Sequence, residues 1–482
     1  MRKQIVLLLF FVLVLAIVSC NNQEHSDSVK PYLLKIKMKE TECFRCGQGA
    51  IIIRSLSEVA DVEIVFNGLN DNTIYRFLQT NGLEYVKKTD GYKIVSDKEE
   101  YSRLNTISNV SEGHLFDKNG NEIMVFQLRL DEPTMNRLND IQRKGRALMQ
   151  KAPITLKTDY DNDGIDLSVQ DDFFVLTNRP MNLCQIFNLN GEIVREINGN
   201  LVDPAVVFPE LEELDSMQLK SIKDDGSYRS SLEGVFINEN EIWIGFTVAC
   251  PTIKDGTCYL YSYYQLLSYP LYESTQQFKV IFDGRPHNVI AMAFDYKNED
   301  KLYTIIQQYD EESLFTCNIA KCEKQDGHLV LKDEHPIHYP IFEQKELLWY
   351  QPVLKDGLLN LKYTEYIVDI QTDTVFSLPF QYNTKVVDNG GFDVKVTMDA
   401  QLIDWVFDGK TLGLIYYDIV EGKKAQCHYL SWRRGQTDFV NASITLPHEE
   451  VVSLKLAFPN VVYYLTKDNK VGTICINEQN WG

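Results

Sequence analysis

From about residue 159 onward the chain repeats itself, and this repetition constrains its folding more than any other feature. Each unit carries a short apolar strand, a polar turn, a longer apolar strand, a second turn and a third strand. The first strands are read at 165–169, 232–236, 290–294, 349–353, 402–406 and 452–456. The second strands are read at 173–176, 242–245, 302–305, 358–361, 412–415 and 461–464. Polar turns such as Asn238-Glu239-Asn240 and Asp408-Gly409-Lys410 separate them. In five units a cysteine (Cys184, Cys258, Cys317, Cys427, Cys475) falls near the start of the third strand, where a small buried hydrophobe is the ordinary reading. A strand pattern that returns every roughly 50 residues buries each unit's apolar face on the next unit.

Six such units predict an all-β six-bladed propeller over 159–482, with a pair of β-sandwiches as the alternative. The stretch Asp171-Asp172-Phe173-Phe174-Val175-Leu176-Thr177-Asn178, followed by Ile186-Phe187-Asn188-Leu189-Asn190-Gly191-Glu192, resembles the first blade of the TolB-like propeller lipoproteins of Bacteroidetes.

Residues 33–151 have a different texture. A strand at 33–38 runs into Thr41-Glu42-Cys43-Phe44-Arg45-Cys46, a helix at 49–59 and a strand at 62–66. A helix at 71–82 follows, with Asp71 as its cap and Gly82 as its stop. Then come a strand at 92–95, a helical turn at 98–104, a hairpin about Asp117-Lys118-Asn119-Gly120 and a closing helix at 131–146. This order, with Phe77-Leu78-Gln79-Thr80-Asn81-Gly82-Leu83 and His114-Leu115-Phe116-Asp117-Lys118-Asn119-Gly120, resembles the thioredoxin fold, and within it the membrane-anchored TlpA-type thiol-disulfide oxidoreductases. The whole chain is therefore expected to be multidomain: an α/β thioredoxin-like domain, then the propeller. The resemblance implies Cys43 as nucleophile and Cys46 as resolver, since a thiol at a helix N-terminus is favoured as thiolate. Glu42 stands where the family has an aromatic, and Ser111 where it has a cis-proline, so a structural CxxC is expected ahead of a catalytic one. A ferredoxin-like metal-binding domain also carries CxxC after its first strand. It needs two strands between its helices, and one is read here.

The amino terminus reads as an export signal. Arg2 and Lys3 precede an uncharged apolar run from Ile5 to Val18, and Ile17-Val18-Ser19-Cys20 resembles the bacterial lipobox. That resemblance implies a signal peptide over 1–19, acylation (palmitate among the chains) of Cys20 and a tether over 20–32. An ordinary signal peptide with a chance cysteine is the alternative. The expected location is the bacterial cell envelope, the outer membrane ahead of the inner. Removing Arg2 and Lys3 takes the formal net charge from −20 to −22, which disfavours nucleic acid as a partner. Of ten cysteines, Cys20 goes to lipid, and the odd remainder leaves at least one thiol unpaired.

Several candidate sites follow. Asp159, Asp161 and Asp163 with Gly164 have the spacing of a calcium loop, although Gln170 replaces the bidentate Glu; an acidic linker is the alternative, and no other cofactor is expected. His335 and His338 form a possible imidazole pair. Cys250 and Cys258 flank Lys254-Asp255-Gly256 and are disulfide candidates, as are Cys43 with Cys46 and Cys317 with Cys322. Tyr259, Tyr261 and Tyr263 alternate on one strand, as sugar-stacking or ordinary packing residues. Two functions are weighed. One is a binding or scaffolding lipoprotein whose propeller meets an envelope protein or glycan. The other is an oxidoreductase using Cys43 and Cys46, with the propeller as docking module.

Overall fold

The computed structural model describes residues 30–476, apart from 40–48, 82, 88–90, 105–109, 129–130, 151, 159–164, 203–206, 208–229, 255–256, 274, 288, 296–301, 310–314, 337–351, 362–364, 381, 389–391, 422, 437 and 448–449. The chain divides into two compact units, Met1–Met149 and Gln150–Gly482.

The first unit is a five-stranded sheet with four described helices. Its strands are β1 (Tyr32–Lys37), β2 (Ala60–Phe66), β3 (Tyr92–Ser96), β4 (Glu112–Asp117) and β5 (Glu122–Gln127), in the spatial order β3-β2-β1-β4-β5. β1, β2 and β3 run parallel, while β4 and β5 are antiparallel. Alternation along β1 decides its two faces: Leu34 and Ile36 enter the core with Val62 and Ile64, and Lys35 and Lys37 point the other way. The helices are α1 (Gly49–Leu56), α2 (Asp71–Asn81), α3 (Lys98–Arg103) and α4 (Glu132–Met149). α1 buries Ile52, Ile53 and Leu56. α2 is capped by Asn70, whose Oδ1 accepts the Thr73 N–H at 3.0 Å, one residue earlier than the expected Asp71. Asp97 caps α3 and Asp131 caps α4 in the same way. The N–H groups of Glu100 and Glu99 hold the Asp97 carboxyl below its usual range.

The second unit is a ring of antiparallel sheets. Residues 165–198, 230–283, 289–336, 352–377 and 400–443 each form a blade of four consecutive strands. The remaining sheet is composite: Val451–Phe458, Val461–Thr466 and Lys470–Cys475 take their fourth strand from β6 (Ile154–Thr155). A hairpin of Tyr382–Asp388 and Phe392–Met398 stands between the fourth and fifth blades in sequence. Neighbouring sheets share cores. Val175 and Ile186 pack with Ile244 and Phe246, Leu266 with Cys322, Leu358 with Trp405, and Ile415 with Leu456. Phe174 meets Tyr463 edge-on at 5.8 Å, joining the composite sheet to the first blade.

Bulges interrupt several first strands, at Leu232/Gly234, Leu402/Asp404 and Val451/Ser453 among others. Each first strand is the edge of its sheet, so N–H groups on its open side, and those a bulge takes out of the ladder, need another acceptor where they are buried. Side chains of adjacent sheets supply it. Asn182 Oδ1 accepts from Leu232 (2.9 Å), Gln170 Oε1 from Ile237 (2.8 Å), Asp356 Oδ2 from Phe407 (3.0 Å), Asp404 Oδ2 from Leu456 (2.8 Å) and Ser453 Oγ from Leu167 (3.1 Å). These bonds latch each sheet to the next.

Two expectations about fold class are corrected. The chain does not carry six like blades. Five are contiguous, and the repeat over 452–475 supplies only three strands, because residues upstream of the repeats provide the fourth. Nor is the first unit a thioredoxin-like domain. A further parallel strand, β3, occupies the edge beyond β2, giving the sheet three parallel strands. Ser111, expected in a substrate-holding loop, is fully buried, and its Oγ accepts the Lys39 N–H at 2.9 Å. Strands dominate the chain as a whole.

Candidate functional site

In a blade of antiparallel strands, the connection entering the first strand and the turn between second and third strands lie at the same end. Here that end collects the long connections. They are the hairpin of Tyr382–Asp388 and Phe392–Met398, and the hairpin of Glu241–Lys254 and Thr257–Pro270, which continues past the Ser230–Val248 pair where its first strand begins. The opposite end carries mostly tight turns, such as Asp171-Asp172 and Asp356-Gly357. Long loops on one face of a rigid scaffold are where binding residues concentrate.

The first strands carry charge towards this entry end. Asp166 lies opposite Thr177, Asp404 opposite Ile415 and Ser453 opposite Leu465, each the fifth residue of its second strand, and Glu233 is bulged out at the same level beside Gly234. Lys455 Nζ stands 3.4 Å from Asp166 Oδ2. Burial pulls the Lys455 ammonium down, but Asp166 and Asp404 outweigh it and hold it above its ordinary value. Ser453 Oγ donates to Asp166 Oδ1 at 3.2 Å. Arg179, exposed in the turn at the same end, donates from Nη2 to the Glu233 carbonyl at 2.9 Å. Burial pushes the Glu233 carboxyl up, against Arg179, Thr247 and Ser231. Asp404 is committed to the frame: it accepts Lys355 Nζ at 2.9 and 3.0 Å and is almost fully buried. Asp166 and Arg179 are therefore exposed and Lys455 and Glu233 half-buried, a mouth with both signs of charge.

The residues expected from sequence meet different fates. Cys20, Cys43, Cys46, Asp159, Asp161, Asp163 and His338 lie outside the described residues. Gln170 is an inter-blade latch, donating to Val235 O at 2.7 Å as well as accepting from Ile237. The hairpin register sets Cys250 opposite Tyr261 and Cys258 opposite Ile253, so the two stand three steps apart along the ladder, about 10 Å. Cys322 is a free buried thiol, pushed up to about 12 by burial, and not one half of a bridge to Cys317. Cys184 and Cys427 are also free and buried, whereas Cys475 is exposed at the last position of its strand. The repeated cysteines thus do not share one position. His335 belongs to a strand, opposite Ile319. Tyr263 packs against the core between the first two blades. Among the described residues no group of three or more His, Cys, Asp or Glu is placed to hold a metal.

A polar layer in the first unit escaped the sequence reading. Lys37 donates to Leu104 O at 2.7 Å and lies over the Tyr101 ring. Burial lowers its ammonium, with Glu112 opposing and Lys39 adding. His114, fully buried, meets Glu122 through Nδ1 at 2.7 Å. The Lys35-Ile36-Lys37 alternation signals a polar face, but not that α3 and Leu104 cover it.

Radially packed sheets closed through a composite strand define the second unit as a β-propeller. Among solved structures the chain is similar to a streptogramin B lyase (12% identical, 68% of this chain and 97% of that one, TM-score 0.31). It is similar also to a glucose dehydrogenase (12%, 68% and 99%, 0.30) and to an α-L-arabinanase of Cellvibrio cellulosa (8%, 68% and 95%, 0.28). No family model and no curated protein matches the chain.

Proposed function

We propose that the mature chain is a binding lipoprotein of the bacterial envelope, held on a membrane by acylated Cys20 and presenting the entry end of its propeller to a partner. The observation that carries this reading is the coincidence, at one end of the ring, of two extended hairpins with the charges Asp166, Lys455 and Arg179. The propeller fold is consistent with a binding or scaffolding module. The lipobox-like Ile17-Val18-Ser19-Cys20 supports the anchor.

Two measurements test the proposal. Cys20→Ala should lose acyl mass and leave the membrane fraction; unchanged partition would refute the anchor. Protease protection or cross-linking in intact envelopes should place the partner on the entry end. Cross-links confined to the tight-turn end would refute the assigned face.

A further inference from the structure

We propose that the entry end takes a neutral polyhydroxylated ligand, an uncharged oligosaccharide, at Asp166, Lys455 and Arg179; this rests on the binding reading above. The argument begins with the sign of the charges. Lys455 Nζ and Asp166 Oδ2 are 3.4 Å apart, with side-chain exposures of 23% and 56%, so both reach solvent at one mouth. An anion drawn to Lys455 meets Asp166 at nearly the same distance, and a cation drawn to Asp166 meets Lys455. For an ionic ligand attraction and repulsion largely cancel at such separations. A hydroxyl is indifferent to that cancellation, because it donates to the carboxylate and accepts from the ammonium at once. Adjacent sugar hydroxyls offer such donor–acceptor pairs repeatedly.

The remaining groups extend the pattern. Ser453 Oγ is fixed between the Leu167 N–H (3.1 Å) and Asp166 Oδ1 (3.2 Å), which orients the carboxylate. Across the mouth, Arg179 spends Nη2 on the Glu233 carbonyl, and a guanidinium has further N–H donors for hydroxyl oxygens. Beside it the half-buried Glu233 carboxyl, close enough to Arg179 to feel its charge, offers acceptor oxygens. The mouth is thus an array of fixed donors and acceptors with little net charge, on a chain that is otherwise strongly acidic.

The test is calorimetric titration of the full mature chain with neutral hexose and pentose oligosaccharides, matched uronic-acid oligosaccharides, and short oligolysine and oligoglutamate peptides. A neutral oligosaccharide should bind, with an affinity nearly constant between about 0.05 and 0.5 M salt. Asp166→Asn and Lys455→Gln should each weaken it by about tenfold or more. Arg179→Gln, at an exposed turn where the side chain makes one hydrogen bond to the Glu233 carbonyl, should weaken it too and keeps the test decisive if either inner-strand variant fails to fold. Binding only of uronates or charged peptides, with steep salt dependence and loss in these variants, would overturn the polyol inference and leave the entry-end reading standing. Binding unaffected by all three variants would overturn both.

Discussion

Asp404 shows how one side chain can hold three sheets. Its carboxylate accepts from Lys355 of the fourth blade and from the Leu456 N–H of the composite sheet, while its own strand belongs to the fifth. Removing it strands the buried Leu456 N–H and leaves the Lys355 ammonium only the Leu456 carbonyl and solvent, so Asp404→Ala should cost about 2 kcal/mol in denaturant unfolding, and Asp404→Asn less. A cost near zero would mean the latch is ornamental. Glu233 makes a pH prediction. Because burial raises its folded pKa, the folded state keeps this proton longer than the unfolded chain does. Its contribution is present below the unfolded value and is lost as pH rises through the folded one. Glu233→Gln should therefore match the parent at acid pH and exceed its melting temperature above that window, read across about pH 4 to 8. The presence of an acid at position 233 or 404 is plain in the sequence. That 404 becomes a latch and 233 a partly buried carboxyl depends on bulges, which no local pattern announces.

Single strands illustrate the limits of local reading. Most elements of the first unit fall within a few residues of their expected places, because amphipathic periodicity and capping are local: Ile52 and Leu56 lie one turn apart, and Asn70, Asp97 and Asp131 cap by the same chemistry. β6 is the opposite case. Ile154 and Thr155 become a strand only because Val471 and Lys470 offer them an edge. Leu156 N–H donates to Asn469 O at 2.8 Å and Lys157 N–H to Gly191 O at 2.9 Å, tying the strand to the last sheet and to the first blade. Gly191 has φ +77°, and a Cβ there would stand 2.3 Å from Thr155 O. Gly191→Ala should accordingly destabilise the propeller by about 2 kcal/mol, measured by denaturant midpoint. A fragment starting at Lys157 should melt on the order of 5–10 °C below one starting at Gln150, for want of β6 and of buried Leu156. Equal melting would show that the composite sheet does not need its fourth strand.

For the whole molecule, stability of the second unit rests on closure. Removing 451–482 would uncover Val406, Ile415 and Tyr429 on the fifth blade and withdraw the acceptor of Leu167 N–H from the first. That deletion should abolish cooperative thermal unfolding and expose dye-binding apolar surface, whereas a retained sharp transition would mean that the other blades hold the arc alone. The sequence by itself determined the strand-rich repeats, the alternation that sorts faces, the cap chemistry and the acidic surface, since each depends on spacing within one segment. Only the tertiary structure decided that five blades are contiguous and the last sheet borrows a strand, and that Gln170 bonds a neighbouring blade. It alone set Cys250 and Cys258 three steps apart and gathered Asp166, Ser453 and Lys455 at one mouth. Those outcomes join residues as much as 317 positions apart in the numbering, from Ile154 to Val471, and the physical reason they escape local reading is that strand pairing and inter-sheet hydrogen bonds are satisfied by whichever chain lies alongside in space.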